Sequence, residues 1–212
     1  MQNQTGQTHQ NMHTGTVSPQ MNHGGHEVLE IHEALTGTIS ALDSYMLLRQ
    51  HVKDAELQDI LDRQYQFIQD EYNTTVECFK TGQDPSTPTQ SYKMKQDNDF
   101  IYGLKPSQPK KPLQSVNEIT DDCVSSSMLE SVKSCAKAKT TAALETTNPV
   151  VRRVLADCVP NSIEMAYELS IYRNKHHYYQ VPQFAQQDMQ QMSNLFAPAQ
   201  GQPQMPTNNA AH

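Results

Sequence analysis

The chain has 212 residues, of which 36% are hydrophobic, with no Trp and a formal net charge of −7. That apolar share supports one core of about 150 residues with polar segments left outside it. The acidic balance speaks against a nucleic-acid surface, which needs clustered Lys and Arg, and the one basic run, 105–111, is proline-broken and reads as a solvated linker.

Residues 1–25 mix Gln, Asn, Thr, Gly and His with no apolar period and read as a disordered tail. They lack the basic and apolar regions of a signal peptide, and no run of about 18 apolar residues occurs, so cytoplasmic synthesis without membrane insertion is expected. His9, His13, His23 and His26 read as solvated side chains, with weak metal binding as the alternative.

A first helical hairpin is predicted over 26–82. Its first helix runs from about Glu27 to Gln50, with Val28, Leu35 and Leu42 on one line and Ile31, Ile39, Tyr45 and Met46 flanking it. Gly37 interrupts this face and points to close contact with a neighbouring helix. Asp54 then caps a second helix lined by Leu57, Ile60, Leu61, Phe67, Ile68, Tyr72, Val76 and Phe79, which Gly82 ends.

Residues 83–116 carry Pro85, Pro88, Pro106, Pro109 and Pro112, which forbid a continuous helix, so this stretch is a long crossover. Phe100, Ile101, Tyr102, Gly103 and Leu104 form its one apolar patch and are expected to pin it to the helices.

A second hairpin is predicted over 117–182. Its first helix begins between Asn117 and Asp122 and ends at Glu145, with Val124, Met128, Ser131, Cys135, Ala138 and Ala142 inward. Asn148 caps the next helix and Pro149 suits its first position, where a missing N–H costs nothing. That helix runs to about Tyr178, with a kink expected at Pro160. Shifting the first hairpin by 94 positions lays Asp54 on Asn148, Leu57 on Val151, Ile60 on Val154 and Leu61 on Leu155, the signature of a repeated hairpin. Residues 183–212 form a short helix over 184–195 and a disordered tail.

Two such hairpins joined by a crossover predict an all-α, ferritin-like four-helix bundle. A dinuclear metal site in such a bundle needs inward Glu from two helices and Glu-x-x-His from the other two. The candidates are Glu30, Glu33 and His32, then Glu71, then Glu130 and Glu145, then Glu164 and Glu168. The histidines are missing: Glu71, Glu164 and Glu168 are followed three residues later by Thr74, Tyr167 and Ile171. No metal or other cofactor is therefore expected, and His32 and Glu71 read as a hydrogen-bonded, half-buried pair.

Cys78, Cys123, Cys135 and Cys158 have no zinc-ligand spacing and read mainly as small buried hydrophobes, with later oxidation as the alternative. No phosphate loop, Gly-x-Ser-x-Gly or other catalytic motif occurs, so no catalytic residue is assigned. The run His176-His177-Tyr178-Tyr179 reads as an amphipathic helix end, the alternative being exposed Tyr available for assembly.

Residues Ser125 to Leu129, the turn Glu145-Thr146-Thr147-Asn148-Pro149-Val150-Val151-Arg152-Arg153-Val154-Leu155 and the ending Tyr178-Tyr179-Gln180-Val181-Pro182 together resemble the coat F family of bacterial spore coat proteins. The resemblance spans 116–182. It implies a ferritin-like helical fold and a structural, non-enzymatic component of the endospore coat, made in the mother cell and deposited on the forming spore. Its partners would be other coat proteins, with a homodimer also open and no small-molecule substrate. The runner-up reading is a ferritin-like metal-dependent oxidase or peroxide-handling enzyme with an atypical site.

Overall fold

In the computed structural model, which describes residues 23–97 and 99–204, the described chain is all-helical. The tail expectations for 1–22 and 205–212, with His9 and His13, lie outside the described residues. Four long helices are α1 (Gly25–Leu48), α2 (Ala55–Thr81), α3 (Asp121–Glu145) and α4 (Pro149–Lys175), followed by a short α5 (Gln186–Ser193). One isolated parallel bridge joins Tyr102 to Val181.

The caps explain these boundaries. Asp54 accepts from the N–H groups of Glu56 and Leu57, and Asn148 accepts from those of Val150 and Val151, so both satisfy orphan donors in the same way. The three apolar pairs aligned by the 94-residue shift are all buried: Leu57 with Val151, Ile60 with Val154 and Leu61 with Leu155. Thr120 caps α3, and Gly82 ends α2 with a φ of 65°, a left-handed conformation that glycine adopts without strain. α4 continues through Pro160, which faces solvent.

α3 packs along both α1 and α4, and α2 also touches both, so α1 and α4 oppose each other across a diagonal, as do α2 and α3. The core divides into two apolar clusters. One gathers Leu42, Tyr45, Leu57, Ile60, Met128, Val132, Met165 and Tyr172; the other gathers Ile31, Ala34, Cys78, Ala142, Val151, Val154, Leu155 and Cys158. On every long helix the residues between these clusters include buried polar side chains: Thr38, Glu71, Thr75, Lys139, Asn161 and Ser162.

The face of α1 is rotated from expectation. Ile31, Ala34, Thr38, Ala41, Leu42 and Tyr45 turn inward, whereas Val28, Ile39 and Met46 are exposed. Gly37 makes no close helix contact: a Cβ added there meets nothing within 4 Å, and its nearest tie is a weak bond from the Cys135 thiol to its carbonyl, 3.8 Å. Gly37→Ala is therefore expected to stabilise the protein by about 0.5–1 kcal/mol, read by urea denaturation, because it restricts the unfolded chain without a clash.

The crossover is anchored differently from expectation. Ile101, Tyr102 and Leu104 stay largely exposed, and backbone bonds hold that patch: Asn174 accepts from the Ile101 N–H (2.6 Å) and donates to the Ile101 carbonyl (3.0 Å). The buried anchor is Tyr92, whose ring meets Phe67 edge-on at 5.2 Å.

Candidate functional site

Three buried polar groups hold this fold together, and they include the two inward carboxylates of the metal test. Glu71 and Glu168 are buried, Glu30 and Glu164 half-buried, and Glu33, Glu130, Glu145 and His32 exposed. His32 and Glu71 therefore do not pair. His32 sits on the outward side of α1, set there by the same rotation that turns Ile31 and Ala34 inward.

Glu71 is occupied instead by Lys139, whose ammonium donates to it at 2.7 Å with both side chains at least nine-tenths buried. Asn161 donates to its other oxygen at 2.8 Å and also to the Gln90 carbonyl, and it accepts from the Tyr92 N–H. Burial opposes a charged Lys139, but the adjacent Glu71 carboxylate outweighs it and holds the ammonium above its ordinary range. Beside this pair lies a cleft of about 340 Å³, lined by Phe67, Glu71, Pro88, Gln90, Cys158 and Asn161 among others.

Glu168 accepts from Arg63 (2.7 Å), Gln64 (3.0 Å), the Lys95 N–H (3.2 Å) and the Tyr92 hydroxyl, while Tyr45 donates to Gln64 at 2.8 Å. Burial opposes the Arg63 charge, and the bonds to Glu168 and Asp59 more than restore it. Both inward carboxylates thus have their own cation and hydrogen-bond donors. Among the described residues no group of three or more His, Cys, Asp and Glu is placed to hold a metal ion. The residues present do not fit the dinuclear centre of the oxidase reading, because Lys139 and Arg63 occupy the carboxylates it would need.

The third group closes one end of the helices. Glu27, three residues after the N-cap Gly24, accepts from the N–H groups of Gly24 (3.2 Å), Thr147 (2.9 Å) and Asn148 (3.3 Å) and from the Thr147 hydroxyl (2.5 Å). His23 lies 2.7 Å from Glu27 and 2.9 Å from the Phe79 carbonyl. Residues 23–25 are thus part of the packed structure rather than the tail, and His23 is not a solvated side chain. Burial pushes the Glu27 carboxyl up, but bonds from Thr147, His23 and Gly24 outweigh it and bring the net position below the usual range.

At the opposite end α4 stops at Lys175, short of Tyr178. His177 turns left-handed, φ 59°, and the N–H groups of Tyr178 and Tyr179 both reach the Arg173 carbonyl. Arg173 in turn donates to the Asp122 carbonyl and carboxylate and to Ser125, tying α4 to α3. The rings of Tyr172, His176 and Tyr178 form a mutual cluster, with His176 4.4 Å from Tyr172 and 5.6 Å from Tyr178, and Tyr179 is exposed. The four cysteines are free thiols, with Cys78, Cys135 and Cys158 buried; burial pushes Cys158 up to about 12 and Cys78 to about 11, which keeps them protonated and unreactive.

A Coat F domain model matches residues 120–182. A spore coat protein F-like protein of Bacillus subtilis (strain 168), YhcQ, is 56% identical over 179 residues, 84% of this chain and 82% of its own. The chain belongs to the coat F family of spore coat proteins. The crystal structure of a candidate spore coat protein of Bacillus halodurans C-125 superposes with a TM-score of 0.55 over 77% of this chain and 95% of that one; at 15% identity it speaks for the fold alone.

The coat F stretch supplies half of each buried group. Lys139, Thr147, Asn148, Asn161 and Glu168 lie inside 120–182, whereas Glu27, Arg63, Glu71 and Tyr92 lie before it. Sequence reading missed most of these residues. For Lys139 a signal existed, since Met128, Val132, Cys135, Lys139 and Ala142 follow one inward 4-3-4-3 spacing, and Lys139 rather than Ala138 completes it. Arg63 and Tyr92 gave none, because Glu168 is 105 and 76 positions away.

Proposed function

We propose that this protein is a structural component of the bacterial endospore coat, made in the mother-cell cytoplasm, deposited on the forming spore and acting by assembly with other coat proteins. The observation that carries this reading is the 56% identity to a spore coat protein F-like protein over most of both chains. The internal pairing of Glu71 and Glu168 supports a non-catalytic role, since both inward carboxylates are engaged in holding helices together.

The architecture belongs to the same proposal. Residues 26–82 and 117–182 are two helical hairpins, and 83–116 is the crossover that lets them form a ferritin-like four-helix bundle. The diagonal arrangement of α1 against α4 supports this topology. No described helix is long and apolar enough to cross a membrane, which is compatible with deposition from the mother-cell side.

A fluorescent fusion followed through sporulation tests the role. The expected result is signal moving from the mother cell to the rim of the forespore and staying on the released spore. Signal that remains diffuse in the mother cell through spore release would overturn it.

A further inference from the structure

The cleft beside Glu71 is a feature of the fold to which a structural role gives no task. Its volume of about 340 Å³ falls at the small end of the range for ligand sites. α2 supplies one wall and the crossover the other, with the buried Glu71, Cys158 and Asn161 at its base. The crossover wall is braced in place rather than collapsed inward. Ser86 donates to Glu77 through its N–H (2.8 Å) and its hydroxyl (2.9 Å), Thr89 donates to Asp157 at 2.8 Å, and Asn161 donates to the Gln90 carbonyl at 2.8 Å. The cleft is therefore pre-formed, as ligand sites usually are.

The bonds that build these walls also decide what fits between them. The hydroxyls of Thr74, Ser86 and Thr89 spend their hydrogens on the Asp70 carbonyl (2.9 Å), Glu77 and Asp157, and keep only lone pairs. Asn161 spends its amide on Glu71, the Gln90 carbonyl and the Asp157 carbonyl. Glu71 Oε1 accepts from Asn161 and has a lone pair to spare. The side chains that keep donors, Asn73, Thr87 and Gln90, are exposed at the rim. Charge is equally one-sided, since Asp70, Glu71 and Glu77 line the cleft and no Lys, Arg or His does.

An interior rich in acceptors, poor in donors and negative in charge selects a cation that carries donors. A bare metal ion is a poor match, because hard cations take six or more converging oxygens and no group of three His, Cys, Asp or Glu among the described residues is placed to hold one. An ammonium group has three donors and no acceptor, and one carboxylate with a few lone pairs satisfies it. Phe67 and Pro88 offer the apolar surface that would cover an organic body behind such a group.

We infer that this cleft binds a compact organic ammonium, with its charged end toward Glu71 and its apolar body against Phe67 and Pro88. The molecule is held rather than transformed, since burial pushes the Cys158 thiol at the base up to about 12 and keeps it protonated. This binding is independent of the coat reading.

Ligand-observed NMR titration of the full-length protein at pH 7 tests it with benzylamine, benzyl alcohol and benzoate, which share a ring and differ in charge. Benzylamine is expected to bind, benzyl alcohol about ten-fold or more weakly, and benzoate not at all. Thr74→Lys, three residues after Glu71 on the same helix face, tethers an ammonium in the cleft, and Thr87→Arg sets a cation at its mouth from the crossover. Each is expected to weaken benzylamine about ten-fold or more at an unchanged melting temperature. Absence of benzylamine binding, benzyl alcohol or benzoate binding as tightly, or benzylamine binding that survives both variants would overturn the inference. Nα-acetyl-lysine amide carries the same group on an aliphatic stem. If it bound more tightly than benzylamine, the cleft would belong to a side chain of another protein and the small-ligand inference would fall.

Discussion

Replacing Lys139 by Met is expected to lower the free energy of unfolding by about 3–5 kcal/mol, the range for breaking a buried ion pair on one side only. Lys139 is 4% exposed and Glu71 8%, and no other cation bonds the Glu71 carboxylate. Removing the ammonium leaves a largely desolvated negative charge between the two apolar clusters, held only by the neutral Asn161 amide and without a cation. The paired variant Lys139→Met with Glu71→Leu removes both charges and is expected to recover most of the loss, since well-packed apolar replacements of a buried pair are often neutral. Urea denaturation followed by circular dichroism measures both. A single-variant loss below about 1 kcal/mol, the range of an exposed pair, would contradict the buried geometry.

Glu27→Ala is expected to cost about 1–3 kcal/mol, because it strands the buried N–H of Asn148 and removes the acceptor of the part-buried Thr147 N–H at the turn between α3 and α4. The effect carries a pH signature whose sign follows from the lowered carboxyl. A folded-state value below the unfolded one contributes stability that is complete above the unfolded value of about 4.3 and is lost as pH falls through the folded one. Melting temperature measured from pH 7 downward is therefore expected to fall below about pH 4.3 in the wild type, and less steeply in Glu27→Gln, which has no charge to lose. Parallel acid profiles for the two proteins would show that Glu27 is not the group responsible.

The same turn shows what local sequence can reveal. Asn148 and Pro149 identified the start of α4 because capping involves residues two or three apart, and Asp54 and Gly82 identified the ends of α2 for the same reason. Nothing nearby indicated that Glu27, 120 positions earlier, would fill the turn with a carboxylate. Residue 23 was equally hidden, since a histidine beside two glycines in a polar stretch looks solvated until Glu27 and the Phe79 carbonyl are brought next to it.

The candidate site was legible only in its carboxylates. Glu71 lay on the apolar line of α2, so its inward direction could be read, but its partner could not. Helical spacing defines a face as broad as the apolar residues it contains, and on α1 that face was wide enough to hold both the buried set of Ile31, Ala34 and Tyr45 and the exposed set of Val28, Ile39 and Met46. Which half turned inward depended on where α2 and α3 came to lie, and that choice sent His32 to the surface.

The sequence by itself determined the four long helices, the caps at Asp54 and Asn148 and the family, because each rests on short-range chemistry or on a contiguous run of matching residues. The tertiary structure alone decided that Lys139 rather than His32 meets Glu71, that Arg63 and Tyr92 meet Glu168, and that Glu27 locks the turn at Asn148. These contacts join positions 68 to 121 residues apart, and desolvation makes each of them strong only once the helices have packed around it.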